Sequence, residues 1–290
     1  MHQFIVNPLS GNGRGIRVWS RIKTILEQRS IPHQVAFTQG NKHATELARS
    51  VSTRPDIKAV VAVGGDGTVH EVGNGLVGSD KPLGYIQAGS GNDFAIAQGI
   101  PTDPLQAFDR VLQHRVRRID TAKLHERFLI GFSGIGFDGL VAETVNLSSA
   151  KRWLGKMVYP YAALQTWVKF RPAHATLTID GEMYSFPDLW LIAVTNIPNY
   201  GGGMLVCPEA DDQDGSLDIC CVSRLSHGRF LKVFPSVFKG KHARHPSITM
   251  KRGKTITIQT DPPLTVHADG EVIGQTPLSI QIQPQSLSIL

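Results

Sequence analysis

Hydrophobic and polar positions along the first third of the chain follow two alternating rhythms. Short apolar runs at Phe4-Ile5-Val6, Val35-Ala36-Phe37 and Leu83-Gly84-Tyr85-Ile86 read as strands. The run Ala59-Val60-Val61-Ala62-Val63 is continuous and β-branched, as in a strand buried on both faces. Between them, Ile16, Trp19, Ile22, Ile25 and Leu26 recur at helical spacing, and 44–51 and 105–112 carry further helical patterns. This alternation predicts a Rossmann-like α/β domain over residues 1–122, a parallel sheet with helices on both sides.

After about residue 120 the rhythm changes to short strands with turn residues. Strands are expected at 128–130, 175–179, 189–194, 217–222, 255–259, 264–267 and 278–282. Asp180-Gly181, Asp214-Gly215 and Asp269-Gly270 are read as their hairpin turns. The expectation is a β-sandwich domain over 123–290, interrupted by helices near 150–169 and 226–239. A length of 290 residues suits two such domains.

Composition narrows the class. Hydrophobic residues at 41% and charged residues at 19% mark a folded globular protein. Cys207, Cys220 and Cys221 form no CxxC, which argues against a disulfide framework or a zinc knuckle and for a reducing compartment. Met1 to Val6 enter a strand without the regions of a signal peptide, and no apolar run approaches bilayer-spanning length. The expected location is cytoplasmic, peripheral to the inner face of a membrane. The net charge of +6 is uneven: no acid occurs between Glu143 and Asp180 or between Asp218 and Asp261. Such stretches favour an anionic lipid surface or phosphate-bearing ligands. They equally suit solvated faces pointing in different directions. No nucleic-acid-binding module is recognisable, so nucleic acid is not an expected partner.

The strongest chemical signal is Val63-Gly64-Gly65-Asp66-Gly67-Thr68-Val69, continuing through Glu71 and Asn74-Gly75. A buried strand ends in glycines and a helix begins, so free N–H groups and the helix dipole face an anion. Thr68 can cap the helix or touch a phosphate, and Asp66 offers a carboxylate to magnesium. Two more turns share this logic, Ala88-Gly89-Ser90-Gly91-Asn92-Asp93-Phe94-Ala95 and Asn7-Pro8-Leu9-Ser10-Gly11-Asn12-Gly13. On one parallel sheet they would share the carboxyl edge, where ligands of open α/β sheets bind.

These turns resemble the diacylglycerol kinase catalytic family, which includes sphingosine kinases and bacterial lipid kinases. The resemblance runs on through Gly136-Phe137-Asp138, Val194-Thr195-Asn196, Gly201-Gly202-Gly203-Met204, Pro208-Glu209-Ala210, Asp214 to Asp218 and Asp269-Gly270-Glu271. It implies an ATP-dependent lipid kinase acting at a membrane surface, with Mg2+ bridging phosphate oxygens. Glu271 matches the family's general base, which acts with Asp66. Asn7, Thr38, Gly64, Gly65, Asp66, Gly67, Thr68 and Ser90 belong with ATP. Asp214 matches a magnesium-holding carboxylate, Asp211 and Ser216 its backbone-carbonyl ligands, and Asp120 an acid reaching that ion through water. Many relatives carry a lysine where this chain has Asn12, which leaves Arg14 as the alternative phosphate contact, and Gln87 replaces a frequent proline. The implied partners are a lipid substrate and an anionic membrane, with a second copy of the chain as an open alternative.

Two rivals share parts of the pattern. NAD kinases carry the GGDGT turn, but the Gly89–Asp93 and Asp269–Glu271 turns count against that acceptor. A non-catalytic nucleotide- or lipid-binding regulator has no need of Asp66, Asp214 and Glu271. Gly134-Ile135-Gly136-Phe137-Asp138-Gly139 is a formal GxGxxG, but no acid follows to bind a ribose, so packing is expected. His70-Glu71 lacks the second histidine of a zinc helix motif, since Asn74 stands there. The stretch from Lys151 to Arg171 mixes aromatics with bases. Tyr159, Tyr161 and Leu164 are expected to pack inward, and Trp153 and Trp167 to meet the bilayer.

Overall fold

The computed structural model describes residues 1–147 and 158–290, and side chains outside 145–160. In chain order the first elements are β1 (His2–Val6), α1 (Ser10–Gln28), β2 (His33–Phe37), α2 (His43–Val51), β3 (Ala59–Gly64), α3 (Asp66–Leu76) and β4 (Leu83–Gln87). Next come α4 (Asp93–Ala97), α5 (Pro104–Gln113), β5 (Arg117–Leu124), β6 (Arg127–Leu129), β7 (Phe132–Gly136) and α6 (Phe137–Leu147). Then follow α7 (Val158–Lys169), β8 (Ala173–Ile179), β9 (Glu182–Thr195), β10 (Leu217–Ser223), α8 (His227–Val233) and 3-10 turns at Phe234–Lys239 and Lys241–Arg244. The chain closes with β11 (Ile248–Gly253), β12 (Thr255–Asp261), β13 (Thr265–Ala268), β14 (Glu271–Gln275) and β15 (Leu278–Ile289).

The first four strands are parallel, in the order β2-β1-β3-β4. Their registers align Val6 with Phe37 and Val63, and Val63 with Ile86, so all four strands end in one row. β3 is buried along its whole length, as its unbroken apolar run requires. On one face Trp19, Ile22 and Leu26 of α1 and Ala107, Phe108 and Val111 of α5 are buried, with Trp19 and Phe108 both against Phe4, while α2 and α3 pack together on the sheet.

In the second half β9 belongs to both layers of a sandwich. Its first part pairs with β8, and its last part lies between β7 and β10. The β8–β9 and β13–β14 connections are two-residue turns with positive φ at Asp180, Gly181, Asp269 and Gly270. That backbone is the one in which aspartate and glycine cost least. Asp214-Gly215 departs from the expected hairpin: it lies in the loop before β10, whose partners are β9 and β11. β15 is longer than its apolar run suggests. It pairs with β12 and β5, and Ile289 adds parallel to β4. The chain therefore crosses between two cores in β5 and returns in β15, with Leu287, Ile289 and Leu290 packed in the first core.

The second core centres on Trp190, fully buried and stacked on Phe230 with ring centroids 4.4 Å apart. Phe137 and Phe170 complete the cluster, and the Trp190 indole N–H donates to the Leu225 carbonyl. Burial of α7 reverses the expected assignment. Tyr161 and Leu164 are exposed at 49% and 58%, whereas Trp167 packs against the core and its indole N–H donates to the His227 carbonyl. Helical geometry forces the choice, because Ala162, Thr166 and Phe170 make the buried stripe and positions 161, 164 and 168 lie opposite it. Trp153 and the side chain of Tyr159 lie outside the described residues.

Candidate active site

The shared end of the four strands sets Asn7, Thr38 and Gly64 side by side, each one step beyond or at the end of its strand. Three glycine-bearing turns close over this row. A Cβ on Gly89 would stand 2.5 Å from the Cα of Gly65, and one on Gly11 would stand 2.3 Å from the Ala88 carbonyl oxygen. Side chains at these positions would force the turns apart, so glycine is a steric necessity there. The Asn7 side-chain amide donates to Thr68 Oγ1 at 3.2 Å, tying the first turn to the start of α3. Gly65 is the N-cap of α3 and receives no side-chain cap, which leaves helix N–H groups facing the cleft. Ser90 is exposed beside them. Gly11, Asn12 and Gly13 all adopt positive φ, and Arg14, at the start of the regular helix, is exposed.

Asp66 binds protein first. Its two carboxylate oxygens accept the N–H groups of Asn92, at 2.6 Å, and Phe94, at 3.1 Å. Burial raises its pKa above the usual carboxylate range, with nearby Asp93 adding to the shift and His70 opposing it. Asp66 thus clamps the GGDGT turn to the Gly89–Ala95 turn. Asp93, a residue not singled out from sequence, does the same across the domains. Its carboxylate accepts the N–H groups of Gly202 and Gly203, and the Asn199 side-chain amide donates to its carbonyl.

A polar stripe on α3 meets the second domain. Glu71 accepts the N–H groups of Lys42 and Ala44 and so caps α2 from outside, and burial raises its pKa. Asn74 donates to the Phe128 carbonyl and accepts the Phe128 N–H, holding β6 in place. Arg127 of β6 in turn donates to Glu271 Oε2 at 2.6 Å. The other Glu271 oxygen accepts no hydrogen bond among the described residues, and the side chain is 28% exposed. Next to it, Asp269 accepts three backbone N–H groups, from Ile130, Gly131 and Phe132. His70 Nδ1 lies 3.6 Å from Asp269, with the ring edge-on to Phe94. The structure therefore brings the Asp269–Glu271 turn against the helix that starts at Asp66.

The acidic loop 211–218 sits elsewhere. Asp212 bonds Gln98 and Arg117, and the fully buried Asp120 accepts the N–H groups of Gly215 and Gln285, both at 2.7 Å. Asp120 holds this loop directly through the Gly215 N–H. Asp214 accepts the Ser216 N–H and is paired with Arg252, and Asp211 accepts the Gln213 N–H. Among the described residues no hydrogen bond joins this loop to Gly64–Thr68, and no cluster of three acidic, cysteine or histidine side chains is poised for a metal. A site made of one carboxylate, backbone carbonyls and water still fits a hard cation. One observation favours it: Asp218 Oδ2 is buried without a partner, and burial pushes that carboxyl up to about 6.

The second domain holds a narrow apolar cavity of about 80 Å³ that is partly open to solvent. Leu191, Met204, Leu225, Phe230, Phe234 and Ile248 are among the residues that line it. Its polar end is Asp138, whose Oδ2 accepts the Tyr200 hydroxyl at 2.8 Å and lies 3.0 Å from His267 Nε2. Burial would raise the Asp138 pKa, but His267 and these hydrogen bonds outweigh it and hold the carboxyl below the usual range. Burial and the Asp138 charge push the Tyr200 hydroxyl well upward. The glycines of the formal GxGxxG serve packing, as expected. A Cβ on Gly134 would stand 2.2 Å from Asp138 Oδ2, and one on Gly139 2.2 Å from the Thr265 carbonyl oxygen. The sequence signal for Asp138 was an aspartate standing alone in an otherwise apolar, glycine-rich run.

Comparison with known proteins matches both halves. The diacylglycerol kinase catalytic domain model covers residues 2–124, and the YegS C-terminal NAD kinase beta sandwich-like domain model covers residues 131–290. "Diacylglycerol kinase" of Mycobacterium tuberculosis (strain H37Rv) is 33% identical over 293 residues, 99% of this chain and 93% of that protein. "Putative lipid kinase YtlR" of Bacillus subtilis (strain 168) is 32% identical over 302 residues, 99% of this chain and 98% of that protein. The crystal structure of a "putative diacylglycerol kinase" from Bacillus anthracis str. Sterne superposes with a TM-score of 0.83 at 26% identity, covering 99% of this chain and 94% of that one. With its α/β domain, its β-sandwich-like domain and both family models in sequence order, the chain belongs to the diacylglycerol kinase catalytic-domain family and is a lipid kinase, an enzyme class for which ATP is the implied phosphoryl donor.

Proposed function

We propose that the protein transfers the γ-phosphoryl group of ATP to the hydroxyl of a diacylglycerol-like lipid alcohol taken from an anionic membrane surface. The observation that carries this reading is the clasp from Asp93 to Gly202 and Gly203. The middle of that loop is fixed to the glycine-rich turns, and its two flanks supply Tyr200 and Met204 to the apolar cavity. A phosphate cradle and an apolar pocket share one short loop.

In this reading the ATP phosphates lie over Gly64, Gly65, Gly67 and Thr68, with N–H groups of α3 directed at them. Asn7, Thr38 and Ser90 flank the nucleotide along the same edge. Glu271 accepts the proton of the attacking hydroxyl through its free oxygen while Arg127 fixes the other. Asp66 positions the second turn and adds negative charge at the cleft. The acyl chains occupy the cavity, and Asp138 accepts a hydrogen bond from the polar end of the lipid. The loop 211–218 would hold magnesium through Asp214 and the carbonyls of Asp211 and Ser216, with Asp120 bracing it, and the ion would offset acidic charge there. Closing the two domains excludes water from the transfer.

Radiolabelled Mg-ATP offered with a panel of dispersed lipid alcohols and NAD tests the reading. Label in a lipid, and none in NAD, is expected. Label in NAD alone overturns it.

A further inference from the structure

We infer that the insertion between β10 and β11, residues 224–244, is the face by which the protein docks on an anionic bilayer, and that it frames the entrance through which lipid reaches the cavity. This deepens the lipid-kinase reading of the site and rests on it.

Two features of one segment converge. α8 and the 3-10 turn after it build one wall of the cavity from Phe230, Val233, Phe234 and Val237. The same elements leave apolar side chains in solvent: Leu231 at 45%, Phe234 at 38% and Phe238 at 50% exposure. Phe234 belongs to both sets, so the exposed strip is continuous with the cavity lining. An apolar strip beside a cavity has the form of an entrance for an apolar ligand.

Charge selects the occupant. Arg224, Arg229, Lys232, Lys239, Lys241 and Arg244 are all exposed in this segment, and no acid occurs between Asp218 and Asp261. Apolar side chains among basic residues on short helices lie well in a headgroup layer, where the apolar parts reach acyl chains and the bases meet phosphate. A second copy of this chain would set these cations against each other, which disfavours it as occupant. α7 docks beside α8, where Trp167 donates to the His227 carbonyl, and it carries its own exposed Tyr161, Leu164 and Val168.

The test uses the full chain and sedimentation with phosphatidylcholine vesicles, with and without phosphatidylglycerol. Two double variants alter side chains that do not line the cavity, Leu231→Ser with Phe238→Ser, and Lys232→Glu with Lys239→Glu. Arg49→Glu with Arg115→Glu reproduces the charge change on another surface. Wild type and control should bind anionic vesicles, and both test variants should bind roughly tenfold more weakly or worse. All four should keep wild-type melting curves and phosphorylate short-chain lipid in detergent micelles within about twofold of one another.

Undiminished vesicle binding by the test variants, or no binding by wild type, overturns the docking face. So does a loss of self-association in place of a loss of vesicle binding. If vesicle binding follows the expected pattern while no lipid is phosphorylated, the docking face stands and the proposed reaction falls.

Discussion

The two halves of the proposed site are built by opposite means. At the nucleotide edge, polar backbone does the positioning: three turns meet at Gly11, Gly65 and Gly89, and Asp66 and Asp93 are spent holding N–H groups. In the cavity, side-chain bulk does the positioning, with Phe137 and Phe230 in the wall, buried Trp190 packed against both rings, and Asp138 as the single carboxylate among the lining residues. A phosphate is a fixed, charged shape that directional donors can grip. An acyl chain is flexible and apolar, so a pocket can only offer it area and a polar stop. The difference explains why small changes of backbone should injure the first half, whereas the second should tolerate changes of shape better than changes of volume or charge.

The contrast can be tested from its strongest consequence downward. Trp190→Ala should remove the packing behind this wall and lower stability by about 3–5 kcal/mol, as large-to-small changes of buried tryptophan do. Chemical denaturation measures this, and a loss below about 1 kcal/mol would show that the wall is not part of the core. Gly89→Ala should leave the second domain unaffected. The new methyl has nowhere to go beside Gly65, so nucleotide affinity should fall by about 10–100-fold, with melting shifted by only a few degrees. Calorimetric titration with a nucleotide would expose the claim as wrong if affinity were unchanged.

Asp138→Asn addresses the polar stop. The amide can still meet Tyr200, but it carries no charge toward His267. We expect kcat/KM for lipid to fall by about tenfold with KM for Mg-ATP unchanged, a split that a general loss of structure would not produce.

The smallest effect concerns pH and the acidic loop. The Asp218 carboxyl titrates near 6 in the folded chain and near the ordinary 3.8 when unfolded. Below pH 4 both states hold the proton, and between about pH 4 and 6 only the folded state does. Stability from this group is therefore present in acid and lost as pH rises through that window. Asp218→Asn lacks the step, so its melting temperature relative to wild type should rise between pH 4 and pH 7. The gain should be of the order of 2–4 °C for each kcal/mol of relief. A difference independent of pH would contradict the assignment.

The same contrast decides what could be read from sequence. The nucleotide edge is written locally: each of β1, β3 and β4 runs straight into its turn, so strand, glycines and helix start are contiguous in the chain. The parallel sheet and the convergence of the three turns were accordingly legible. The sandwich is written in long-range contacts. β7 escaped notice because Gly134 and Gly136 lower strand propensity, yet both are needed where Asp138, His267 and the Trp190 carbonyl crowd the backbone. β11 and β14 are short and largely polar or exposed, so they lack an alternation that marks a buried face. Asp93 and His70 sat inside recognised motifs, but their importance comes from partners more than 100 residues away, Gly202 and Asp269. Glu271 could be singled out only by family resemblance. Its surroundings, Arg127 and the helix carrying His70 and Glu71, become visible only in three dimensions.

The measurement that bears most directly on the central claim is label transfer from Mg-ATP to dispersed lipid alcohols by wild type and by Glu271→Gln. Nucleotide binding should be measured on both. The account predicts phosphorylated lipid from wild type, a loss of about 100- to 10,000-fold in kcat for the variant, and equal nucleotide affinity. A variant that transfers label as fast as wild type would contradict the role of Glu271, and with it the placing of the reaction between the two domains.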